Sequence, residues 1–289
     1  MSIVCQQSKP SIGVVLLPFL SEGQLRGFHA KELVDIPFSD FKRIWKDMKL
    51  TLENNFNNFD NGECSISAMN SHEKDNYFDS DVAKYYEGEE YEQAWLSNYD
   101  KIIPLRPFVA LDGCQKFTEK LNEKSDLNAL WEDNIEDGNG YRFTEESGKN
   151  LVLTATTRDR NLTFKNIEVR KVKGENLINL SIDIGLKSPY IEVVRYGRYL
   201  ILLNGHHRLF ALKKMGYSEV PCIILDNEPY IELLESNPYA GDLKNGYLVP
   251  RFEYFFDGNL TANFSLQKDI RQLKITLQEE VIPTIIGTE

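Results

Sequence analysis

The chain of 289 residues is 42% apolar and carries a formal net charge of −11. That is enough apolar surface for one large core or two ordinary ones, and the acidic balance makes general affinity for nucleic-acid phosphates poor. No run of about 18 apolar residues occurs, so the sequence predicts no membrane-spanning helix. Cys5, Cys64, Cys114 and Cys222 lie far apart without a CxxC pair, which argues against a zinc framework or a disulfide scaffold and fits free, mostly buried thiols in a reducing cytoplasm.

From the N-terminus, Ile12 to Leu20 (IGVVLLPFL) is apolar but short, and Pro18 interrupts it. It predicts a buried strand rather than a signal peptide. Ser39 to Leu52 spaces Phe41, Ile44, Trp45, Met48 and Leu52 as one face of a helix, with Ser39 or Asp40 as its cap. Asn54 to Ser80 is rich in Asn, Asp and Ser and predicts a long loop. Val82 to Tyr99 mixes acids with aromatics and predicts a helix with a solvated acidic face. Ile102 to Leu111 reads as a strand interrupted by Pro104 and Pro107, and Lys116 to Trp131 as a further helix.

Asp137-Gly138-Asn139-Gly140 is the strongest turn signal and places a domain boundary nearby. Leu151 to Thr157 and Leu162 to Val172 alternate as strands. Glu175 to Ile184 puts Leu177, Leu180 and Ile184 on one helical face, with Gly185 as a stop. Ile191 to Arg195 and Tyr199 to Leu203 form a hairpin through Gly197. A helix follows from His206 to Met215, ended by Gly216, and then a buried strand from Val220 to Leu225. A short helix from Tyr230 to Glu235 and an amphipathic stretch from Leu266 to Val281 complete the pattern. The organisation predicted is an N-terminal α+β region (1–145), a small α/β domain (146–230) and a C-terminal extension (231–289).

Chemistry concentrates in Leu200 to Leu212 (LILLNGHHRLFAL), where a buried strand turns at Asn204-Gly205 straight into a helix. The first N–H groups of a helix lack partners within it and carry partial positive charge, so such an end binds phosphate. Gly205 admits an anion close to the backbone. Arg208 adds a forked permanent charge, and His206 and His207 add donors that titrate near neutrality. Adjacent residues on a helix point about 100° apart, so the two histidines predict no metal site. Residues 150–230 are the one net-basic part of the chain, at +4, which favours an anionic ligand there.

These residues resemble the ParB/sulfiredoxin superfamily. The resembling pattern is Ser181-Ile182, Gly185-Leu186 and Ser188-Pro189, then a hairpin, then Gly205-His206-His207-Arg208 with Ala211 in the helix, closed by Val220-Pro221. With its flanks it covers about residues 164–226, and it implies a mixed sheet with helices whose Gly-x-x-Arg turn meets the phosphates of a nucleotide. His206 stands where sulfiredoxins carry a reactive Cys, so sulfinate reduction is not implied. It also stands where chromosome-partition ParB proteins carry an acidic residue. The turn is most similar to the Asp-Gly-His-His-Arg of ParB-like ADP-dependent serine kinases, with Asn204 in place of their Asp.

The resemblance implies a nucleotide (ATP, ADP or CTP) with Mg2+ as ligand, and phosphoryl transfer or nucleotide hydrolysis as the activity. Asn204, Gly205, His206, His207 and Arg208 are the expected phosphate contacts, with Lys187 and Ser188 across the cleft. His206, His207, Asp183 and Glu192 are the candidates for proton transfer or a magnesium carboxylate. Two other readings stay open: a DNA-linked nuclease or nucleotide-gated DNA binder, and a non-catalytic nucleotide-sensing protein. The acidic charge and the lack of a DNA-reading helix disfavour the first.

Overall fold

The computed structural model describes residues 11–33, 36–54, 64–78, 82–86, 90–124, 127–131, 142–146, 150–157, 162–171, 178–186, 188–226, 230, 249–266 and 271–278. The chain forms two compact units, Met1–Glu132 with Pro189–Lys268, and Asp133–Ser188 with Asp269–Glu289. Helices combine with mixed and antiparallel sheets, an α+β architecture.

The first unit begins with β1 (Ser11–Val15), and Pro18 then sits in a 3-10 turn from Leu17 to Phe19. Helix α1 (Glu22–Glu32) opens on a capping box: Ser21 Oγ accepts from Gln24 N–H, and Gln24 Oε1 accepts from Ser21 N–H. Helix α2 (Phe38–Asn54) buries Phe41, Trp45 and Leu52 as its spacing predicts. It starts one residue before the expected caps, because Pro37 O accepts the first helical bonds from Asp40 and Phe41 N–H. The expected loop at 54–80 contains structure where it is described: β2 (Ser65–Ala68) and α3 (Ser71–Tyr77). Asn70, one of the polar residues behind the loop expectation, is in fact the cap of α3.

The helix expected over Val82–Tyr99 shrinks to α4 (Val82–Tyr85), followed by β3 (Tyr91–Ser97). Ala94 and Leu96 are buried while Gln93, Trp95 and Ser97, which alternate with them, are half-exposed, and the aromatics that suggested helix packing suit a strand as well. The two prolines split the next predicted strand into β4 (Ile103–Pro104) and β5 (Phe108–Ala110). Helix α5 (Leu111–Lys124) then starts earlier than expected, and a 3-10 turn covers Leu127–Leu130.

In the second unit, β6 (Arg142–Glu146) and β7 (Asn150–Thr157) pair antiparallel, as do β8 (Leu162–Lys171) and β9 (Ile178–Leu186). β9 overturns the helix expected over Glu175–Ile184. Ile178, Leu180, Ile182, Ile184 and Leu186 alternate without a break, and this two-residue period over a whole segment outweighs three matches to a helical one. The Asp137–Gly140 turn lies outside the described residues.

Back in the first unit, β10 (Glu192–Tyr196) and β11 (Tyr199–Asn204) form the predicted hairpin. Helix α6 (His206–Lys214) and β12 (Glu219–Leu225) follow, with β12 parallel to β10. After β13 (Ala262–Leu266), β14 (Arg271–Gln278) pairs with β7 in the second unit. The expected helix from Tyr230 to Glu235 lies outside the described residues beyond Tyr230 itself.

The first unit thus holds a six-stranded sheet, β2-β3-β12-β10-β11-β4, and a three-stranded sheet, β13-β1-β5. Pro104 is tolerated because β4 is an edge strand. The largest core cluster joins Leu209, Phe210 and Leu212 of α6 to Val193, Leu202, Val220 and Cys222 of the sheet and to Leu121 of α5. Phe256 stacks on Phe210 at 4.5 Å between ring centroids. This packing fixes the start of α6 at the end of β11.

Candidate phosphate-binding turn

Gly205 is the N-cap of α6 and holds φ +88°, a left-handed conformation that other residues adopt only at a cost. Space demands glycine as well: a Cβ there would lie 2.8 Å from Ile191 Cγ1 and 2.9 Å from Ile191 Cα. The turn is therefore pressed against the entry to β10. No side chain caps α6, and its first intrahelical bond runs from Leu209 N–H to Gly205 O at 2.8 Å. The amides of the first turn have no acceptor within the helix.

Asn204 Nδ2 donates to Tyr190 O at 3.4 Å, a bond that an ionised Asp could not make. His206 is 5% exposed, and its Nε2 accepts from Arg106 N–H at 3.3 Å. Burial holds its pKa well below the ordinary 6.5, helped by the charge of Arg106 and by His207. His207 Nε2 accepts from Ala110 N–H at 3.1 Å, and its ring lies against Gly113 of α5, where a Cβ would come within 3.1 Å. Both imidazoles thus carry their hydrogen on Nδ1 when neutral; His206 is tied to the connection between β4 and β5, and His207 to the end of β5. Arg208 is 7% exposed, with its guanidinium 4.8 Å from the centroid of Phe117 on α5.

Of the other candidates, Glu192 is the Cα partner of Asn204 across the hairpin and so lies beside the turn. Its Oε1 accepts from Tyr86 O–H at 2.8 Å. Asp183 lies in β9 of the second unit, and Ser188 is the last residue of that unit's first segment. Lys187 lies outside the described residues. His29 and His72 are engaged elsewhere, with Ile36 O and Asn76 respectively.

Sequence reasoning missed the partners that shape the turn. Arg106, Ala110, Gly113 and Phe117 come from a segment about a hundred positions away with no motif of its own. Tyr86 and Tyr190 gave no signal beyond being aromatic, although Tyr190 follows the flagged Pro189. Among the described residues, no group of three or more His, Cys, Asp and Glu side chains could hold a metal ion, and no helix is long and apolar enough to cross a membrane.

No family model and no solved structure matches the chain. Part of it is similar to a curated protein, an ATP-dependent L-serine kinase of Desulfurococcus mucosus. The two are 34% identical over 56 residues, which make up 19% of this chain and 19% of that protein. The chain therefore matches only about a fifth of the length of this relative.

Proposed function

We propose that the turn from Asn204 to Arg208 binds the phosphates of a nucleotide, ATP, ADP or CTP, and that the protein acts in phosphoryl transfer or nucleotide hydrolysis. The observation that carries this reading is the left-handed Gly205 at the uncapped start of α6, at the end of a core strand. Such an end presents backbone donors and the positive pole of the helix to an anion. The partial similarity to an ATP-dependent kinase supports a nucleotide over a simple anion, as does the pattern shared with the ParB/sulfiredoxin superfamily.

In this reading the amides of residues 206–208 cradle phosphate oxygens, and His206 and His207 donate from Nδ1 while their Nε2 atoms stay with Arg106 and Ala110 N–H. Arg208 supplies charge from its seat on Phe117. Glu192, beside the turn, is the carboxylate that would act as base or help hold magnesium, which typically needs only one or two carboxylates besides the phosphates. Bound magnesium would neutralise charge on the phosphate oxygens.

A second reading, a nucleotide sensor without turnover, is favoured by one feature. The side chain at 204 is an amide committed to Tyr190 O, where the resembling kinases have a carboxylate.

The test is a thermal-shift panel of ATP, ADP, CTP and GTP with magnesium on the wild type and Arg208→Gln. The expected outcome is stabilisation by one nucleotide and about tenfold or more weaker binding in the variant, the scale of one charged hydrogen bond. No shift with any of the four would overturn the nucleotide reading. A shift without phosphate release or transfer would select the sensor.

A further inference from the structure

Glu192 is out of character for its place in the fold. It lies on β10, which has β11 on one side and β12 on the other. Tyr190, Ile191, Val193 and Val194 around it are all buried, and Glu192 is the one charged residue among them. A carboxylate set into such a stretch costs solvation. The hairpin is also irregular at this point. Glu192 pairs with Asn204 but Val193 pairs with Leu202, so Leu203 of β11 is left over. Bulges of this kind re-aim a side chain and are frequent beside active sites.

A tyrosine 106 positions away meets this carboxylate: Tyr86 O–H donates to Glu192 Oε1 at 2.8 Å. Tyr86 is itself buried, in a cluster with Met69, Val82, Ile223 and Leu225. Its ring centroid lies 5.0 Å from that of Tyr91, and its backbone N–H donates to Ala83 O at 3.2 Å. A hydroxyl on a ring so packed is a fixed point, and the flexible glutamate is oriented by it. The neighbouring Tyr85 stands edge-on to Tyr190, whose carbonyl accepts from Asn204. One short segment thus reaches both residues that pair at the phosphate turn.

A carboxylate here suits magnesium, which takes oxygen donors and needs only one or two protein carboxylates when phosphates supply the rest. Ligating carboxylates are in turn held by hydrogen-bond donors, and losing such a donor weakens the metal. We infer that Tyr86 is a positioning residue that orients Glu192 to hold the magnesium ion of the bound nucleotide. This rests on the proposed function, and it selects the magnesium role of Glu192 over that of a base. Tyr86 lies outside the segment that resembles a known superfamily.

The experiment is titration calorimetry on the full chain with ATP, ADP and CTP over a series of magnesium concentrations, and in EDTA. It compares the wild type, Tyr86→Phe, Glu192→Gln and the double variant. Tyr86→Phe keeps the ring and loses only the hydroxyl. It should raise the magnesium concentration for half-maximal nucleotide binding about tenfold. In the Glu192→Gln background the same change should move that midpoint by less than about twofold, because the partner is already gone. An unchanged midpoint in Tyr86→Phe, or an equal rise in both backgrounds, would overturn the positioning role and leave the nucleotide site standing. A general loosening of the fold gives the equal rise, so the paired backgrounds separate it from positioning. Loss of turnover with an unchanged midpoint would make Glu192 a base and overturn the magnesium assignment. Binding of no nucleotide, with or without magnesium, would overturn the proposed function and this inference with it.

Discussion

At Gly205 two independent demands meet: a positive φ and a backbone approach to Ile191 that excludes any side chain. Gly205→Ala therefore adds left-handed strain of about 1–2 kcal/mol to an overpacking cost of about 1–3 kcal/mol. Urea denaturation should show a loss of at least about 2 kcal/mol; a loss below about 0.5 kcal/mol would mean that the turn relaxes freely. The neighbouring His206 has a different signature. Because burial keeps its imidazole neutral, the unfolded chain binds one more proton than the folded chain below about pH 6.5. The stability it contributes is complete above that pH and falls as the pH drops, by up to about 1.4 kcal/mol per unit. Protonation also removes the acceptor for Arg106 N–H. His206→Gln keeps an acceptor but does not titrate, so it should flatten the stability profile between about pH 6.5 and 5. Identical slopes in the two proteins would show that His206 does not stay neutral.

Among the elements, α6 depends most on its surroundings, since six of its nine residues are buried. Leu209 is fully buried between the sheet and α5, and Leu209→Ala should cost about 2–5 kcal/mol. A cost below about 1 kcal/mol would mean that the helix is not the wedge between these layers. The helix, its hairpin and β12 were legible in sequence because each is an apolar run ended by a local signal. Gly216 at φ +84° closes α6, with Tyr217 N–H returning to Leu212 O, just as Gly205 opens it. Where sequence reading failed, two periods overlapped. In β9 the positions 180 and 184 satisfy helix and strand alike, and Ile178, Ile182 and Leu186 decide for the strand. The polar residues around Asn70 looked like a loop because caps and loops draw on the same side chains. Within the turn, the residue types pointed to phosphate, but nothing local showed that both histidines would be engaged by distant backbone amides or that Arg208 would lie on Phe117.

Across the whole molecule, the two units are built from interleaved segments, and every tryptophan (Trp45, Trp95 and Trp131) belongs to the first. Tryptophan emission during unfolding therefore reports that unit, whereas far-UV circular dichroism reports both. Units with separate sheets should give transitions with different midpoints by the two probes; coincident midpoints would show that they unfold as one. Such long-range organisation was not legible in sequence. Apolar alternation identifies a strand but not its neighbour, and the partners of β1 are β5, about a hundred positions on, and β13, near the far end of the described chain.

That last pairing has a consequence for how the protein is made. β1 is held on one side by β13, with Ser11 opposite Leu266 and Val15 opposite Ala262. On a ribosome adding about 5–20 residues per second, an apolar strand near the start of the chain waits roughly 10–50 s before its partner emerges. Throughout that interval Val14 and Val15, both buried in the finished fold, lack one of their neighbours, so the nascent chain offers a hydrophobic segment to chaperones and to other nascent chains long before the three-stranded sheet can close.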